Sequence, residues 1–317
     1  MPALEIQPFS DAQVEAAAKL LEERHARQRA VEPALPHDID FRAEVEALRQ
    51  AEEHSGVAAT RDGELVGYLL AAPRDDSWGA NMWVEYAGHA VREPEIVRDL
   101  YAAAAEEWLA RGRHQHYALV PATDPELVDA WFRLSFGAQH AAGIQETPPP
   151  ANGTPGGLVI RRAVADDVDA AIAIDLELPR HQERSPVFAT VSATAVTDED
   201  REQFLAEIDD PEIALFVAEL DGKLVGELLM VPVERSPMHV GLARPERAAF
   251  LTFAATLPEA RGSGAGLALT SAGLGWAHEH DYPVVIVDWR ETNLLASRFW
   301  PRRGFRRTFL RLYRSIP

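Results

Sequence analysis

Three glycines in five residues, Gly262-Ser263-Gly264-Ala265-Gly266, separate two apolar runs of different character, and this break constrains the chain more than any other feature. Upstream, Phe250-Leu251-Thr252-Phe253-Ala254-Ala255-Thr256-Leu257 reads as a buried strand. Downstream, Leu267, Leu269, Leu274 and Trp276 fall among small residues and read as a helix. A strand that breaks into glycines and restarts as a helix leaves several backbone N–H groups aimed at one spot. That spot also feels the positive end of the helix dipole, about half an elementary charge. Glycines remove the Cβ atoms that would hold a phosphate away from those groups. Two familiar phosphate loops fail on spacing. No lysine follows to make Gly-x-x-x-x-Gly-Lys-Ser/Thr, and Leu267 stands where Gly-x-Gly-x-x-Gly needs its third glycine. A pyrophosphate cradle and an ordinary glycine turn remain.

The hexapeptide Arg261 to Gly266 resembles the Arg/Gln-x-x-Gly-x-Gly/Ala signature of the GCN5-related N-acetyltransferases (GNAT), whose loop binds the pyrophosphate of acetyl-coenzyme A. Val284-Val285-Ile286-Val287 then reads as a buried parallel strand. Asn293-Leu294-Leu295-Ala296-Ser297-Arg298-Phe299-Trp300 with Gly304-Phe305 resembles the family's Asn-x-x-Ala-x-x-Phe-Tyr-x-x-x-Gly-Phe block. The resemblance covers residues 158–317 well and the earlier half weakly. It implies an α/β fold of two GNAT-like domains in tandem, each a mixed twisted sheet flanked by helices. It implies acetyl-coenzyme A as cosubstrate, its pyrophosphate held by backbone N–H groups of Gly262, Ser263, Gly264, Ala265 and Gly266, with Arg261 opening the cradle. Backbone groups of Ala255, Thr256 and Leu257 would hydrogen-bond the pantetheine arm as an added strand does. Asn293 and Trp300 would lie beside the cofactor, Trp300 near the thioester sulfur. Thr292 or Asn293 would also cap the helix that Gly304 closes.

At 317 residues the chain exceeds the usual single domain, so two are expected. The dense prolines and glycines of 148–157 read as a linker between residues 1–147 and 158–317. Both halves carry the same hairpin signal, Asp62-Gly63-Glu64-Leu65-Val66-Gly67 and Asp221-Gly222-Lys223-Leu224-Val225-Gly226. Trp131-Phe132-Arg133-Leu134-Ser135-Phe136 also echoes Trp300-Pro301-Arg302-Arg303-Gly304-Phe305. Two echoes in one order indicate a duplicated fold. The first half lacks the cradle: no glycine lies between Gly88 and Gly112, and Glu93, Glu95 and Asp99 crowd a helix start where they would repel a pyrophosphate. Residues 1–147 read as a degenerate copy.

The formal charge of −19 disfavours nucleic acid as a partner, although Arg298, Arg302, Arg303, Arg306, Arg307, Arg311 and Arg314 crowd the last twenty residues. Those arginines read as a solvated face or as a positive rim near the cofactor's phosphates. No apolar run reaches the roughly 18–20 residues that span a bilayer, and Met1-Pro2-Ala3-Leu4-Glu5 lacks a secretory signal's basic start, so a cytoplasmic protein without membrane contact is expected. The absence of cysteine excludes disulfides and thiolate chemistry. His278-Glu279-His280 sets its imidazoles on different helix faces, no metal site is expected, and no Gly-x-Ser-x-Gly elbow occurs. His37-Asp38 and His114-Gln115-His116 have no interpretable partner spacing.

The family's chemistry needs a neutral amine, a stabilised oxyanion and a protonated leaving thiolate. Where relatives place the tyrosine that protonates the thiolate, this chain has Trp300, whose indole is no acid. Tyr313 or water would replace it. Where some relatives place a glutamate base, this chain has Phe250; Glu227, His239 and Asp288 remain as candidates, Glu227 first because it follows the hairpin's second glycine. The leading reading is acetyl transfer to the amine of a small molecule or peptide, with the site in residues 158–317. A non-catalytic coenzyme A or acyl-coenzyme A sensor and a purely structural protein are the alternatives.

Overall fold

The computed structural model describes residues 3–75, 78–150, 157–189 and 197–317. Most of the expected linker, residues 151–156, lies outside them. The chain forms two compact units, one of residues 1–142, 240–244 and 307–317, the other of residues 143–239 and 245–306. These bounds differ from those the linker marks, because the last strand and a short loop complete the first unit.

The first unit contains β1 (Glu5–Pro8), α1 (Val14–Val31), α2 (Phe41–Gln50), β2 (Ser55–Arg61), β3 (Glu64–Ala71), β4 (Asn81–Val84), β5 (His89–Val91), α3 (Ile96–Ala110), β6 (Gln115–Pro121) and α4 (Pro125–Phe132). Strands β1, β2, β3 and β5 form an antiparallel sheet in that order. Strand β4 runs parallel to β6, and the last strand of the chain, β13 (Arg306–Ser315), runs antiparallel along the other side of β6. Tyr68, Leu70, Trp83 and Phe309, each at most 1% exposed, form the centre of its core. The loop 240–244 adds Leu242 and Ala243 to that core. Helix α3 starts beside Glu93 and Glu95, which ion-pair with Arg61 at 2.6 Å and Arg133 at 2.7 Å. The arginines offset the carboxylates that the sequence places at this helix mouth.

The second unit holds the end of β7 (Gly137–Glu146), β8 (Leu158–Arg162), α5 (Val168–Asp175), α6 (Glu177–Gln182), α7 (Asp198–Asp209), β9 (Ala214–Leu220), β10 (Lys223–Pro232), β11 (Ala248–Thr256), α8 (Ala265–Glu279), β12 (Val284–Arg290) and α9 (Ala296–Arg302). Strands β8 to β11 pair antiparallel in chain order, and β11 pairs β12 in parallel. Val284 to Val287 are at most 6% exposed, as a parallel strand covered on both faces requires.

The sequence echoes are structural echoes. Asp62-Gly63 has φ of 52° and 79°, and Asp221-Gly222 has 51° and 75°, the paired positive angles of a type I′ hairpin. After α4 the chain turns at Ser135 (φ 65°), with the Phe136 N–H donated to Trp131 O at 3.4 Å. After α9 it turns at Gly304 (φ 98°), with the Phe305 N–H donated to Trp300 O at 3.3 Å. The same helix ending recurs in each unit.

Candidate functional site

The cradle forms where β11 gives way to α8. A short 3-10 turn at Pro258–Ala260 redirects the chain, and Gly262 and Gly264 take φ of 88° and 93°. Left-handed backbone at alternate positions swings successive amides toward one side, and side chains rarely tolerate it. The first intrahelical bond of α8 runs from Ala268 N–H to Gly264 O. Within the loop, Ser263 N–H is donated to Ala260 O at 3.2 Å, and Ala265 N–H to Ser263 Oγ at 3.3 Å. The N–H groups of Gly262, Gly264, Gly266 and Leu267 have no acceptor among the described residues. A Cβ built on Gly262 would meet nothing within 4 Å, so the space above it is open. This is an anion nest at a helix mouth.

The nest opens onto a gap between β11 and β12. Their parallel pairing runs from Ala248–Val284 to Leu251–Val287 and ends there, although β11 continues to Thr256 and β12 to Arg290. Past Leu251, therefore, the β12-facing edge of β11 is unpaired, an open edge onto which an extended ligand can add. A cavity of about 450 Å³ lies along this open edge of β11, lined by Ala255, Thr256, Gly262, Gly264, Gly266 and Trp300 among others. Arg261 stands exposed at the cradle, and Ala265 is buried beneath it.

Away from the nest, the cavity is bounded by Glu177, Leu178 and His181 of α6 and by Glu227 of β10. Gly226 faces α8, since a Cβ there would lie 3.1 Å from Leu269; alternation along the strand turns Glu227 to the opposite face, under α5 and α7. Glu227 is 1% exposed, and no protein N–H or O–H reaches either carboxyl oxygen. Burial holds its carboxyl well above the ordinary range, reinforced by the Asp175 carboxyl, which can donate to it only when protonated, and by Glu207. Asp175 and Glu207 are also raised, both chiefly by burial.

Asn293 fixes the far wall. Its Oδ1 accepts the N–H groups of Leu295 at 3.1 Å and Ala296 at 3.3 Å, capping α9 as expected. The same oxygen meets His181 Nε2 at 3.1 Å. An oxygen that already accepts two amides is an acceptor here too, so Nε2 carries the proton and Nδ1 of a neutral His181 keeps its lone pair. Nothing in the local sequence marks His181, Glu177 or Asp175. His181 lies 112 residues from Asn293, and only the fold joins them.

Several expectations are corrected. Tyr313 lies on β13 in the first unit, its hydroxyl donated to Gln115, and does not line the cavity. Leu257 N–H is donated to Val225 O at 2.9 Å and its carbonyl accepts Ala260 N–H, so neither group is free for a pantetheine arm. Ser263 and Ala265 spend their N–H groups within the loop, which leaves the nest to the glycines and Leu267. His239 is packed against Phe250, with ring centroids 4.8 Å apart, and burial lowers its pKa to about 4. Neither His239 nor Asp288 lines the cavity. The arginine-rich end is divided: Arg306 pairs with Glu146 at 2.8 Å, Arg311 covers the Trp78 ring, and Arg303 lies over Phe299 on the cavity wall.

A sheet opened between two parallel strands, with a glycine nest at its mouth and a duplicated topology, defines a tandem acetyltransferase-type α/β protein. Residues 180–305 match the Acetyltransferase (GNAT) family model. It is 27% identical over 313 residues to the mycothiol acetyltransferase of Acidimicrobium ferrooxidans, covering 91% of each chain. The crystal structure of a GCN5-related N-acetyltransferase from Sphaerobacter thermophilus superposes with a TM-score of 0.57 at 15% identity, over 98% of this chain and 95% of that one. A GCN5-related glucosamine N-acetyltransferase region of a fungal multi-domain β-N-acetylglucosaminidase gives 0.55 at 14% identity, over 99% of this chain and 38% of that one. These likenesses concern the fold. Among the described residues, no helix is long and apolar enough to cross a membrane.

Proposed function

We propose that the second unit transfers an acetyl group from acetyl-coenzyme A to an amine. The observation that carries this reading is the pairing of the nest with the open edge of β11, since one cavity joins an anion site to an extended slot. The N–H groups of Gly262, Gly264, Gly266 and Leu267 hold the pyrophosphate, with Arg261 beside it. The backbone at Ala255 and Thr256 borders the pantetheine arm. Trp300, 7% exposed, and Asn293 wall the thioester end.

The acceptor enters from the side of α6. Its nitrogen must shed a proton before attacking the thioester carbonyl, and two groups on that side can receive one. Glu227 is the first, after its pair with Asp175 has ionised; His181 Nδ1 is the second. The leaving thiolate takes its proton from water or from the group that received the amine's proton, because Trp300 has no acidic proton to give. The first unit has no glycine at the start of α3 to build a nest, and the arginines there are engaged by Glu93 and Glu95.

Release of coenzyme A thiol from the intact protein, measured against a panel of primary amines, tests the reading. Turnover that falls when Gly264 is replaced is the expected result. Tight acetyl-coenzyme A binding without thiol release from any amine would favour a sensor, which Phe250 and Trp300 in the family's base and acid positions also favour.

A further inference from the structure

We propose that the α6 side of this cavity is a subsite for a diamine or polyamine acceptor, whose second ammonium group is held by Glu227 and Asp175. The inference rests on the acetyl-transfer reading and names its substrate class.

Glu227 forms part of the cavity wall, yet it is 1% exposed and no N–H or hydroxyl reaches either carboxyl oxygen, which leaves the Asp175 carboxyl as its polar neighbour. The groups around it are carboxyls: Asp175 at the end of α5, and Glu207 on α7. Glu177 faces the same space and is paired with Arg180 at 2.8 Å. Among the described residues, no lysine, arginine or histidine forms an ion pair with Asp175, Glu207 or Glu227. A carboxyl removed from water without a donor or cation is costly, and an incoming cation is its natural complement. Arg261 belongs to the nest end, and the Nε2 proton of His181 is committed to Asn293.

Acetyl transfer adds a second condition. The nitrogen that attacks must be neutral, so it cannot be the cation that satisfies the carboxyls through the reaction. A monoamine gives the pair a counter-ion only while it is unreactive. An acceptor with two amino groups meets both needs: one nitrogen stays charged at Glu227 and Asp175 while the other faces the thioester and gives its proton to His181 Nδ1. Without a cation, burial and the neighbouring Asp175 carboxyl favour a proton on Glu227. Docking an ammonium group replaces that proton, which passes to solvent; no covalent bond changes in this step.

The test is calorimetric titration of the intact protein with 1,3-diaminopropane and spermidine, against n-propylamine, in two buffers of different ionisation heat. The diamine and spermidine should bind about tenfold or more tightly than n-propylamine, with net proton release. Glu227→Gln and Asp175→Asn keep side-chain volume; each should remove that preference and the proton release while leaving acetyl-coenzyme A affinity unchanged. Equal affinity for mono- and diamines overturns the inference, as does an unchanged spermidine affinity in Glu227→Gln. A protein that binds acetyl-coenzyme A but discriminates no diamine refutes this subsite and leaves the acetyl-transfer reading standing. One that prefers diamines but ignores acetyl-coenzyme A does the reverse.

Discussion

Tyr313 on β13 stands opposite Tyr117 on β6, their ring centroids 5.0 Å apart, and its hydroxyl is donated to Gln115. The end of the chain is thus built into the first unit, where Phe309 and Leu312 are at most 1% exposed. Deleting residues 307–317 should therefore remove the first unit's cooperative unfolding transition in scanning calorimetry. Tyr313→Phe should cost about 1 kcal/mol of stability and leave the rate of thiol release within about twofold. A large fall in rate would restore Tyr313 to the chemistry.

Two glycines of the nest make opposite predictions. Gly264 has φ of 93° at the N-cap of α8, so Gly264→Ala should destabilise by about 1 kcal/mol. It should also weaken acetyl-coenzyme A binding at least roughly tenfold, by turning the nest's amides aside. Gly266 sits inside α8, and a Cβ there would make an ordinary 3.9 Å contact with Phe299. Gly266→Ala should raise stability by up to about 1 kcal/mol through helix propensity alone. Chemical denaturation with parallel binding titrations separates the two.

Asn293 joins a helix cap to a side chain across the cavity. Asn293→Ala should cost about 1 kcal/mol for the lost cap. It should also free the His181 ring from its contact, which a change in the histidine's ring NMR resonances would register. Loss of stability with an unaltered His181 resonance would mean that the 3.1 Å contact is not formed in solution.

Stability should fall on both sides of neutrality, for different reasons. Burial lowers His89 to about 3, and His116 and His239 to about 4, so all three are neutral in the folded chain at pH 7. Below about pH 6.5 the unfolded chain binds protons that the folded one does not, and their contribution is lost as pH falls toward 4. By pH 4 each histidine accounts for about 3 kcal/mol. Glu227 acts in the opposite sense. Its folded pKa is raised, so its contribution is present below the ordinary carboxyl range and lost as pH rises above it. Urea midpoints measured against pH should decline from pH 7 to 4, and Glu227→Gln should be stabilised relative to wild type at pH 8. A flat acid limb, or a less stable Glu227→Gln, contradicts this.

Much of the second unit was legible because its signals are local. The glycine break, the run Val284–Val287 and the Asp221-Gly222 turn each dictate their own backbone, and the structure has a nest, a parallel strand and a type I′ hairpin there. The echo of Trp131–Phe136 in Trp300–Phe305 extends to the same helix-ending hydrogen bond. What sequence could not supply was partnership over distance. An apolar stretch such as Phe309-Leu310-Arg311-Leu312 reads as a strand without saying which sheet it joins, so Tyr313 was assigned to the wrong neighbours. Leu257 resembles its neighbours in the chain, yet its N–H is bound to Val225. Asp175 and Glu227 meet only because α5 packs over β10, and nothing at either position in the sequence announces a pair.

The nest itself can be observed directly, by following the backbone amide resonances of the intact, isotope-labelled protein during a titration with acetyl-coenzyme A. Saturable downfield shifts concentrated at Gly262, Gly264, Gly266 and Leu267, absent when pantetheine without its diphosphate is used, are the predicted result. Binding heat with those four amides unmoved, or no binding at all, would contradict the account.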